Sequence, residues 1–320
     1  MNRLTLTLVW LLVLAVPLSL LAGRVWIDPS GPLPAGATSS VMELRLPRAV
    51  LALLVGGALG AAGAAMQGYL RNPLADPGLF GIAPGAALGA VLSLWTGYAA
   101  QGWTLPVFAL IGAATAMALL ALIAGRSGSV ILFTLAGMMI ASLAGALMSL
   151  AISLAPTPFA LTEIVTWLMG ALADRSWTDV WIAAPLCLAG IAVLAFAGRA
   201  LDALTLGELA ARSLGVDPAR LRWLMIAGIG LTVGGSVAVA GIIGFVGLIV
   251  PHLMRPLTDG RPSQLLLPSA LAGALLLLVA DCLCRVLPLA GGELRLGIAL
   301  SLLGAPFFLR LLLRLRKDLA

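Results

Sequence analysis

Charged residues are scarce in this chain of 320 residues: they make up 10% of it, whereas hydrophobic residues make up 61%. Soluble domains carry about 25% charged residues, and a membrane-spanning helix needs about 20 predominantly apolar residues in succession. Stretches close to that length or longer, without any Asp, Glu, Lys, Arg or His, recur along the chain and exclude a set of soluble domains. They are residues 4–23, 49–70, 77–125, 127–162, 180–198, 223–251 and 262–280.

Lysine is almost absent, and its one copy, Lys317, is followed by Asp318. A P-loop requires the pattern Gly-x4-Gly-Lys-Ser/Thr to hold nucleotide phosphates. The chain therefore has no Walker A motif and cannot hydrolyse ATP by that route. A transporter with this sequence has to take its energy from a partner chain or from an ion gradient.

Histidine and cysteine are also rare. The one histidine, His252, follows Val250 and Pro251, and a lone histidine is more often structural than catalytic or metal-binding. The cysteines suggest neither a disulfide framework nor a metal motif. They are Cys187, Cys282 and Cys284. We therefore predict no metal site and treat an intramembrane enzyme or a scaffold as the third class of function.

Ionisable groups inside the apolar stretches, which ion-coupled transporters use as relays, are few. Asp281 lies one helical turn from Arg285, a spacing that favours an ion pair. Glu163 follows Pro156 and Pro158, in what we interpret as an external connection. A secondary transporter that works alone is therefore the weaker alternative. The basic residues behind the net charge of +6 are scattered over many loops, so no nucleic-acid partner is predicted.

The apolar stretches predict an all-α polytopic membrane protein of about ten helices, with residues 1–320 forming one transmembrane domain. Residues 96–103 contain a turn with interfacial aromatics that divides the longest stretch into a hairpin. We favour residues 4–23 as a span over a cleaved signal peptide, whose apolar region is usually about 7–15 residues long. The predicted helices are 4–23, 48–69, 79–97, 103–124, 130–153, 178–198, 222–241, 243–256, 264–286 and 295–314, the eighth being unusually short.

Basic residues next to short loops indicate orientation, because they accumulate on the cytoplasmic side. With both termini in the cytoplasm, 13 of the 19 basic residues lie inside. The other six are external and require a reason. They are Arg24, Arg45, Arg48, Arg175, Arg285 and Arg295.

The most polar internal segment, residues 204–216, is predicted to be a short cytoplasmic helix. Glu208 and Arg212 have the spacing of an ion pair, and Gly215 suits the position after a helix end. Its apolar face is predicted to contain Leu206, Leu209 and Ala210. Such a helix can dock into a groove on a partner protein or lie on the lipid surface.

Residues 66–81 are predicted to form a tight cytoplasmic turn, because two prolines stop one helix and permit the next, while Asn72 and Asp76 offer caps. The preceding helix contains small residues at close intervals, which let neighbouring helices approach closely. They are Gly56, Gly57, Gly60 and Gly63.

These motifs, in this order and over nearly the whole chain, resemble the FecCD-type permeases of type II ABC importers, which carry iron siderophores, haem or cobalamin. The motifs are RLPR at 45–48, MQ at 66–67, NPLADPG at 72–78, LAG at 135–137, WLMG at 167–170, LGE at 206–208, GFVGLIVPH at 244–252 and GAPFF at 304–308. Two places depart from the family: Arg295 replaces a usual proline, and residues 259–261 read Asp-Gly-Arg instead of Asp-His-Arg.

The resemblance implies a homodimer in the bacterial inner membrane, with two cytoplasmic ATPase subunits, a periplasmic binding protein and no permanently bound cofactor, ATP being used by the partner. The segment at 204–216 becomes the coupling helix, with Leu206, Gly207, Glu208, Leu209, Arg212, Leu214 and Gly215 as its contacts. The resemblance assigns binding-protein docking to Arg45, Arg48 and Arg285. It assigns the cytoplasmic gate to Asn72, Leu74, Ser129, Val130 and Ile131.

Arg175, at the outer end of the fifth predicted span, is the residue that bears on the cargo. Two copies in a dimer would face the cargo entrance, and paired guanidinium groups suit carboxylates. Haem propionates or a carboxylate siderophore would supply them, so we expect haem before ferric siderophore and both before cobalamin. The alternative is that Arg175 pairs with Asp174 or Asp179 inside the subunit.

Overall fold

The computed structural model describes residues 3–23, 26–28, 37–98, 102–124, 130–287 and 292–318, and these residues form helices and connections without any strand. We treat the four-residue helix Ala37–Ser40 as an extension of the helix that follows it and number the other twelve α-helices among these residues in chain order. They are α1 (Arg3–Leu21), α2 (Leu46–Leu70), α3 (Ile82–Trp95), α4 (Thr104–Ala124), α5 (Val130–Ser153), α6 (Pro158–Leu168), α7 (Trp177–Leu204), α8 (Glu208–Ser213), α9 (Pro218–Ala240), α10 (Val246–Met254), α11 (Pro262–Val286) and α12 (Leu296–Asp318).

The predicted all-α membrane fold is confirmed. Eight of the helices are long and apolar enough to cross a bilayer, and the first of them is α1. The shorter α3 and α10 correspond to the third and eighth predicted spans, so each of the ten predicted helices has a counterpart. Helix α2 also continues backwards through the π-helical turn Val41–Arg45 to Ala37–Ser40.

Helix α6 is missing from the prediction, because Pro156 and Pro158 were interpreted as marks of an irregular connection. Pro158 in fact occupies the first turn of the helix, where its missing N–H group costs nothing. The Thr157 hydroxyl caps this end by accepting a hydrogen bond from the Ala160 N–H at 3.1 Å. The prolines therefore start a helix here.

The predicted helix at 204–216 is wrong in its length. Helix α7 continues past its apolar stretch as far as Leu204, and a turn with Gly207 at φ +102° separates it from the six residues of α8. Asp202 at the end of α7 accepts a hydrogen bond from the Ser263 N–H at 2.8 Å, which ties this end of α7 to the start of α11. That tertiary contact explains why a helix extends into a polar sequence.

Helix α2 lies at the centre of the bundle and contacts α7, α9, α10 and α11. Its glycines make this possible, because a Cβ at Gly56, Gly60 or Gly63 would collide with a backbone carbonyl oxygen of α11 or α10. The predicted close approach of small residues is therefore confirmed. Most of the apolar window of α2 is buried, at 83%, against 17% for α1.

Helices α9 and α10 are separated by an unwound segment that starts at Gly241, with φ at +70°. Gly170, with φ at +68°, packs against Ile242 of this segment, and its carbonyl accepts a hydrogen bond from the Gly297 N–H at 3.1 Å. The start of α12 is thereby fixed to the segment that follows α6, although Arg295 replaces the proline of the family pattern that the sequence resembles.

We expect Gly60→Ala to destabilise the protein by about 1–3 kcal/mol, the usual cost of overpacking a tight core, because the new methyl would collide with the Ser269 carbonyl. The matched control is Gly145→Ala in α5, where nothing lies within 4 Å of an added Cβ. The midpoints of thermal unfolding in detergent compare the two variants, and equal midpoints would contradict the packing of α2.

Candidate functional site

Polar side chains gather at both ends of α2. We call the end of the bundle that contains Arg48 the arginine end, and the opposite end the α8 end. The Arg48 Nε donates to both Asp281 carboxylate oxygens at 3.0 Å, and Arg48 Nη2 lies 2.9 Å from Oδ1. A second carboxylate, that of Glu293, lies 2.9 Å from Arg48 Nη1. One guanidinium therefore binds α2 to α11 and to the segment before α12.

Arg285 and Arg45 extend this cluster towards α1. The Arg285 Nε lies 3.1 Å from Asp281 Oδ2, which confirms the ion pair predicted from their spacing. Its Nη1 donates to the Ala22 carbonyl at 3.2 Å, and Arg45 Nη1 donates to the Leu20 and Leu21 carbonyls at 2.9 Å. These carbonyls end α1, where a positive charge is favourable.

The three arginines that the resemblance assigned to docking are thus parts of one cluster. Two of them are compensated by Asp281 and Glu293 within the same subunit. The Arg285 side chain is only 4% exposed and the Arg48 side chain 12% exposed. This internal network accounts for three of the six arginines that are predicted to be external, while their contact with a binding protein stays a prediction.

A cavity of about 840 Å³ opens at the arginine end between α3, α6 and the segment before α12. Arg175 and Arg295 line it together with Glu163, Asp174 and Trp167. Two buried donors here, the Arg175 Nε and the Trp167 Nε1, have no hydrogen-bond partner. Both atoms are closed off from solvent and do not face the open space of the cavity, so a ligand there could contact only the exposed part of the Arg175 side chain.

The charge of Arg175 is only partly balanced. Burial lowers the pKa of its guanidinium, while Asp179 and Asp174 act in the opposite direction. The Arg175 Nη1 lies 4.0 Å from Asp179 Oδ1, too far for a hydrogen bond. The predicted alternative, pairing within the subunit, is therefore present in a weak form that leaves the guanidinium able to bind an anionic group.

At the α8 end, three leucines of the predicted coupling segment point away from the protein: Leu206, Leu209 and Leu214 are 67%, 81% and 63% exposed. The helix ends in a Schellman motif, since the Val216 N–H donates to the Ala211 carbonyl at 3.0 Å and the Gly215 N–H donates to the Arg212 carbonyl at 2.9 Å. The predicted role of Gly215 as the residue after the helix end is confirmed.

The ion pair predicted between Glu208 and Arg212 is not among those that the described residues form, and this expectation is wrong. Glu208, the first residue of α8, lines a small cavity beneath the helix, whereas Arg212 is exposed. The first turn of a helix favours a carboxylate because its N–H groups are unpaired. Glu208 therefore points towards the cavity and does not pair with Arg212, although the spacing of the two residues would allow an ion pair.

The turn assigned to the gate is held by its own side chains. The Asn72 Oδ1 accepts from the Leu74 N–H at 2.9 Å, and the Asp76 Oδ1 accepts from the Gly78 N–H at 2.7 Å. Burial raises the pKa of the Asp76 carboxyl, and the bond from Gly78 opposes that shift.

On the facing helix α5, Ile131 is 73% exposed and Val130 is half-buried. The fifth gate residue, Ser129, lies outside the described residues. A function for this turn and for the start of α5 stays a prediction.

Gln67 is a residue that sequence reasoning left without a role. Its Nε2 donates to the Leu248 carbonyl at 3.2 Å, and its Oε1 accepts from Arg255 Nη2 at 3.0 Å, so it joins α2 to α10. The sequence does contain a feature that could have indicated this role, because Gln67 is the one amide side chain in the charge-free stretch 49–70.

His252 packs edge-on against Phe307, with ring centroids 5.7 Å apart. Among the described residues, no three His, Cys, Asp or Glu side chains are grouped to hold a metal ion.

Residues 11–314 match the FecCD transport family. Curated relatives include the vitamin B12 import system permease proteins BtuC of Salmonella typhi and of Salmonella typhimurium strain LT2. Each is 41% identical over 319 residues, which cover 98% of this chain and 95% of the relative.

Two solved structures resemble the fold. A metal-chelate type ABC transporter in an inward-facing conformation has a TM-score of 0.89 and 33% identity, covering 98% of this chain and 99% of that chain. PsaBC from Streptococcus pneumoniae in complex with Fab has a TM-score of 0.57 and 20% identity, covering 82% and 89% of the two chains, and supports the fold alone.

Replacement of Asp281 should reveal how much the arginine cluster stabilises the bundle. Asp281→Asn leaves Arg285 and part of Arg48 without a counter-charge, so we expect a loss of about 3–5 kcal/mol, as for a buried pair with one partner removed. The matched control is Asp259→Asn, which breaks the exposed Asp259–Arg261 pair of 3.4 Å and should cost less than about 1 kcal/mol. The free energy of unfolding of both variants is measured in detergent. An equal loss in the two variants would contradict the structural role of Asp281.

Proposed function

The chain belongs to the FecCD transport family and is the permease of a bacterial ABC importer, and we propose that its cargo is a corrinoid such as vitamin B12. The observation that carries the proposal is the 41% identity to vitamin B12 import permeases over 98% of the chain. The aligned region spans nearly the whole chain, and so nearly all of the helices described above. ATP hydrolysis then belongs to a separate subunit, in keeping with the missing Walker A motif.

The expectation of haem as cargo is not supported by the relatives, and the order of preference changes accordingly. That expectation rested on Arg175 and on carboxylates as its partners. The Arg175 side chain lines the cavity, and a guanidinium suits phosphate and amide oxygens as well as carboxylates. A corrinoid carries a phosphodiester and several amides, so the same residues fit it. Haem and ferric siderophores become the second candidates.

The energy for transport is proposed to enter at α8. The exposed leucines in and beside this helix support docking into a groove on each of two ATPase subunits. The alternative is that this segment lies on the lipid surface. Leu206, Leu209 and Leu214 would fill the groove, and Glu208, Arg212 and the two glycines, Gly207 and Gly215, would shape the helix. The α8 end and both termini then face the cytoplasm.

At the arginine end we propose that a periplasmic binding protein docks with acidic side chains next to Arg45, Arg48 and Arg285. Asp281 and Glu293 already neutralise two of these three charges. The carboxylates of the binding protein would therefore contact only the edge of an arginine cluster that is largely neutralised. Such contacts set the rate and the register of association more than its affinity.

Two copies of the chain would enclose the pathway. Asn72, Leu74, Val130, Ile131 and Ser129 would then close the pathway on the cytoplasmic side. ATP binding can shift the gate from one conformation to the other only if the ATP-bound partners bind the two conformations with different affinities.

The cargo is tested by uptake into proteoliposomes that contain the permease, its ATPase subunit and its binding protein. We expect ATP-dependent uptake of cyanocobalamin that exceeds uptake of haem. Arg175→Ala should lower cyanocobalamin uptake by about tenfold, the effect of one lost charge-assisted hydrogen bond, because its guanidinium lines the cavity. Haem uptake that exceeds cyanocobalamin uptake would overturn the proposal that the cargo is a corrinoid. Uptake without any ATPase subunit would favour a secondary transporter.

The coupling role of α8 is tested by Leu209→Asp, which places a charge on the most exposed leucine of the helix. We expect cargo-stimulated ATP hydrolysis to be lost while membrane insertion is retained, because the charge cannot enter an apolar groove. The control is Leu154→Asp, at a leucine that is 60% exposed at the arginine end. Stimulation that survives in the Leu209 variant would remove α8 from the coupling mechanism.

A further inference from the structure

The cavity of about 840 Å³ at the arginine end is lined by a second arginine, Arg295, that the proposed function leaves without a role. Arg295 lies directly before α12, and its carbonyl accepts a hydrogen bond from the Ala299 N–H at 3.1 Å, so it starts that helix. The start of a helix carries a positive partial charge, which makes a cation there unfavourable. The stability of α12 therefore gives no reason for an arginine at this position.

The backbone next to Arg295 is held in place by the residues that follow it. Leu296 is 2% exposed, and a Cβ at Gly297 would collide with the carbonyl oxygen of Met169. Arg295 thus lines the cavity from a fixed backbone at the start of α12, while Arg175 lines it from the segment before α7. Burial lowers the pKa of the Arg175 guanidinium, and the charge of Arg295 adds to that shift. Two guanidinium groups therefore share one cavity.

The carboxylates near these two arginines compensate them only weakly. Arg295 is absent from the ion pairs that the described residues form. Asp179, at 4.0 Å from Arg175, is engaged in the cap of α7, where its Oδ2 accepts a hydrogen bond from a backbone N–H at 2.9 Å. The two acids that line the cavity, Glu163 and Asp174, are exposed, so water and salt screen their charges. The half-buried guanidinium groups are therefore able to bind an anion.

Glu163 and Asp174 also limit the charge that a ligand can carry. The described lining of the cavity holds two cationic and two acidic side chains, so a ligand with two or more carboxylates meets like charges there. A phosphodiester carries a single negative charge, and guanidinium groups bind its oxygens through charge-assisted hydrogen bonds. The charges of the cavity therefore suit a phosphodiester better than haem or a carboxylate siderophore.

The cavity has aromatic walls in addition to its charges. Trp95, the last residue of α3, is 37% exposed, and Phe159, in the first turn of α6, is 72% exposed. The Trp95 Nε1 donates to the Leu154 carbonyl at 3.1 Å, which fixes the indole ring. Aromatic side chains stack on other flat rings. A phosphodiester followed by a flat base is the pattern of a nucleotide, and vitamin B12 carries such a group as an arm on its corrin ring.

We propose that this cavity binds the nucleotide arm of the corrinoid, with Arg295 and Arg175 on the phosphodiester and Trp95 and Phe159 on the base. The proposal rests on the proposed function, because it requires a corrinoid as cargo. The volume of about 840 Å³ lies within the range of small-molecule pockets, about 300–1,000 Å³. Arg295 is then a specificity-determining residue, which favours corrinoids that have the arm over corrinoids that lack it.

The test compares cyanocobalamin with cobinamide, a corrinoid without the phosphodiester and the base, in proteoliposomes that contain the whole importer. Arg295→Gln should lower the uptake of limiting cyanocobalamin by about tenfold, the effect of one lost hydrogen bond to a charged group. Cobinamide uptake should stay unchanged, which also shows that the variant is folded and assembled. Each variant is compared with the unmodified importer for the same cargo, so any preference of the binding protein cancels.

Two further variants separate charge from stacking. Arg295→Lys keeps the positive charge and should recover most of the cyanocobalamin uptake. Phe159→Leu removes an aromatic face and should lower cyanocobalamin uptake by about two- to tenfold, the range of an aromatic pair, again without an effect on cobinamide. The matched control is Arg261→Gln, which removes an exposed arginine at the α8 end and should leave the ratio of the two uptakes unchanged.

An equal loss of both cargoes in Arg295→Gln, as a contact with the binding protein would give, overturns the role of the cavity and leaves the corrinoid cargo intact. Full uptake of both cargoes in that variant overturns it as well. An unmodified importer that takes up neither corrinoid overturns the proposed function, and the present proposal with it.

Discussion

Helix α2 can lie at the centre of this membrane protein only because its neighbours approach its backbone directly. Gly56, Gly60 and Gly63 face carbonyl oxygens of α10 and α11, with no room for a single methyl group. In a bilayer, helix association draws on such packing, since lipid tails are as apolar as leucine. Polar side chains that join helices gather at the two ends of α2, and Asp202 with Ser263 adds such a contact between α7 and α11.

Those two ends have different chemistry. At the arginine end, Arg48 binds Asp281 and Glu293 and so fixes α2 to α11 and to the segment before α12. At the α8 end, Gln67 fixes α2 to α10 through its hydrogen bonds with Leu248 and Arg255. A central helix with a polar cluster at each end would keep the proposed docking surface and the proposed gate at a fixed distance from each other.

The sequence predicts the spans well because a long charge-free stretch forms most of each one, and a bilayer selects for hydrophobic segments. It misses α6, whose prolines start a helix, and it overextends α8, because the break at Gly207 depends on a backbone conformation. It also pairs Glu208 with Arg212, whereas the fold turns Glu208 towards Tyr69. The arginine cluster is only half predictable, because Arg48 and Asp281 are 233 residues apart and only Asp281 and Arg285 share a helix.

The central claim is that a chain without its own nucleotide site receives its energy through α8. A photoreactive amino acid at Leu209, in cells that express the whole importer, tests it most directly. The account predicts a covalent product with a subunit whose peptides include a Walker A sequence, and no such product from the same group at Leu154. Crosslinks from Leu209 that reach lipid alone, in an importer that transports its cargo, would contradict the account.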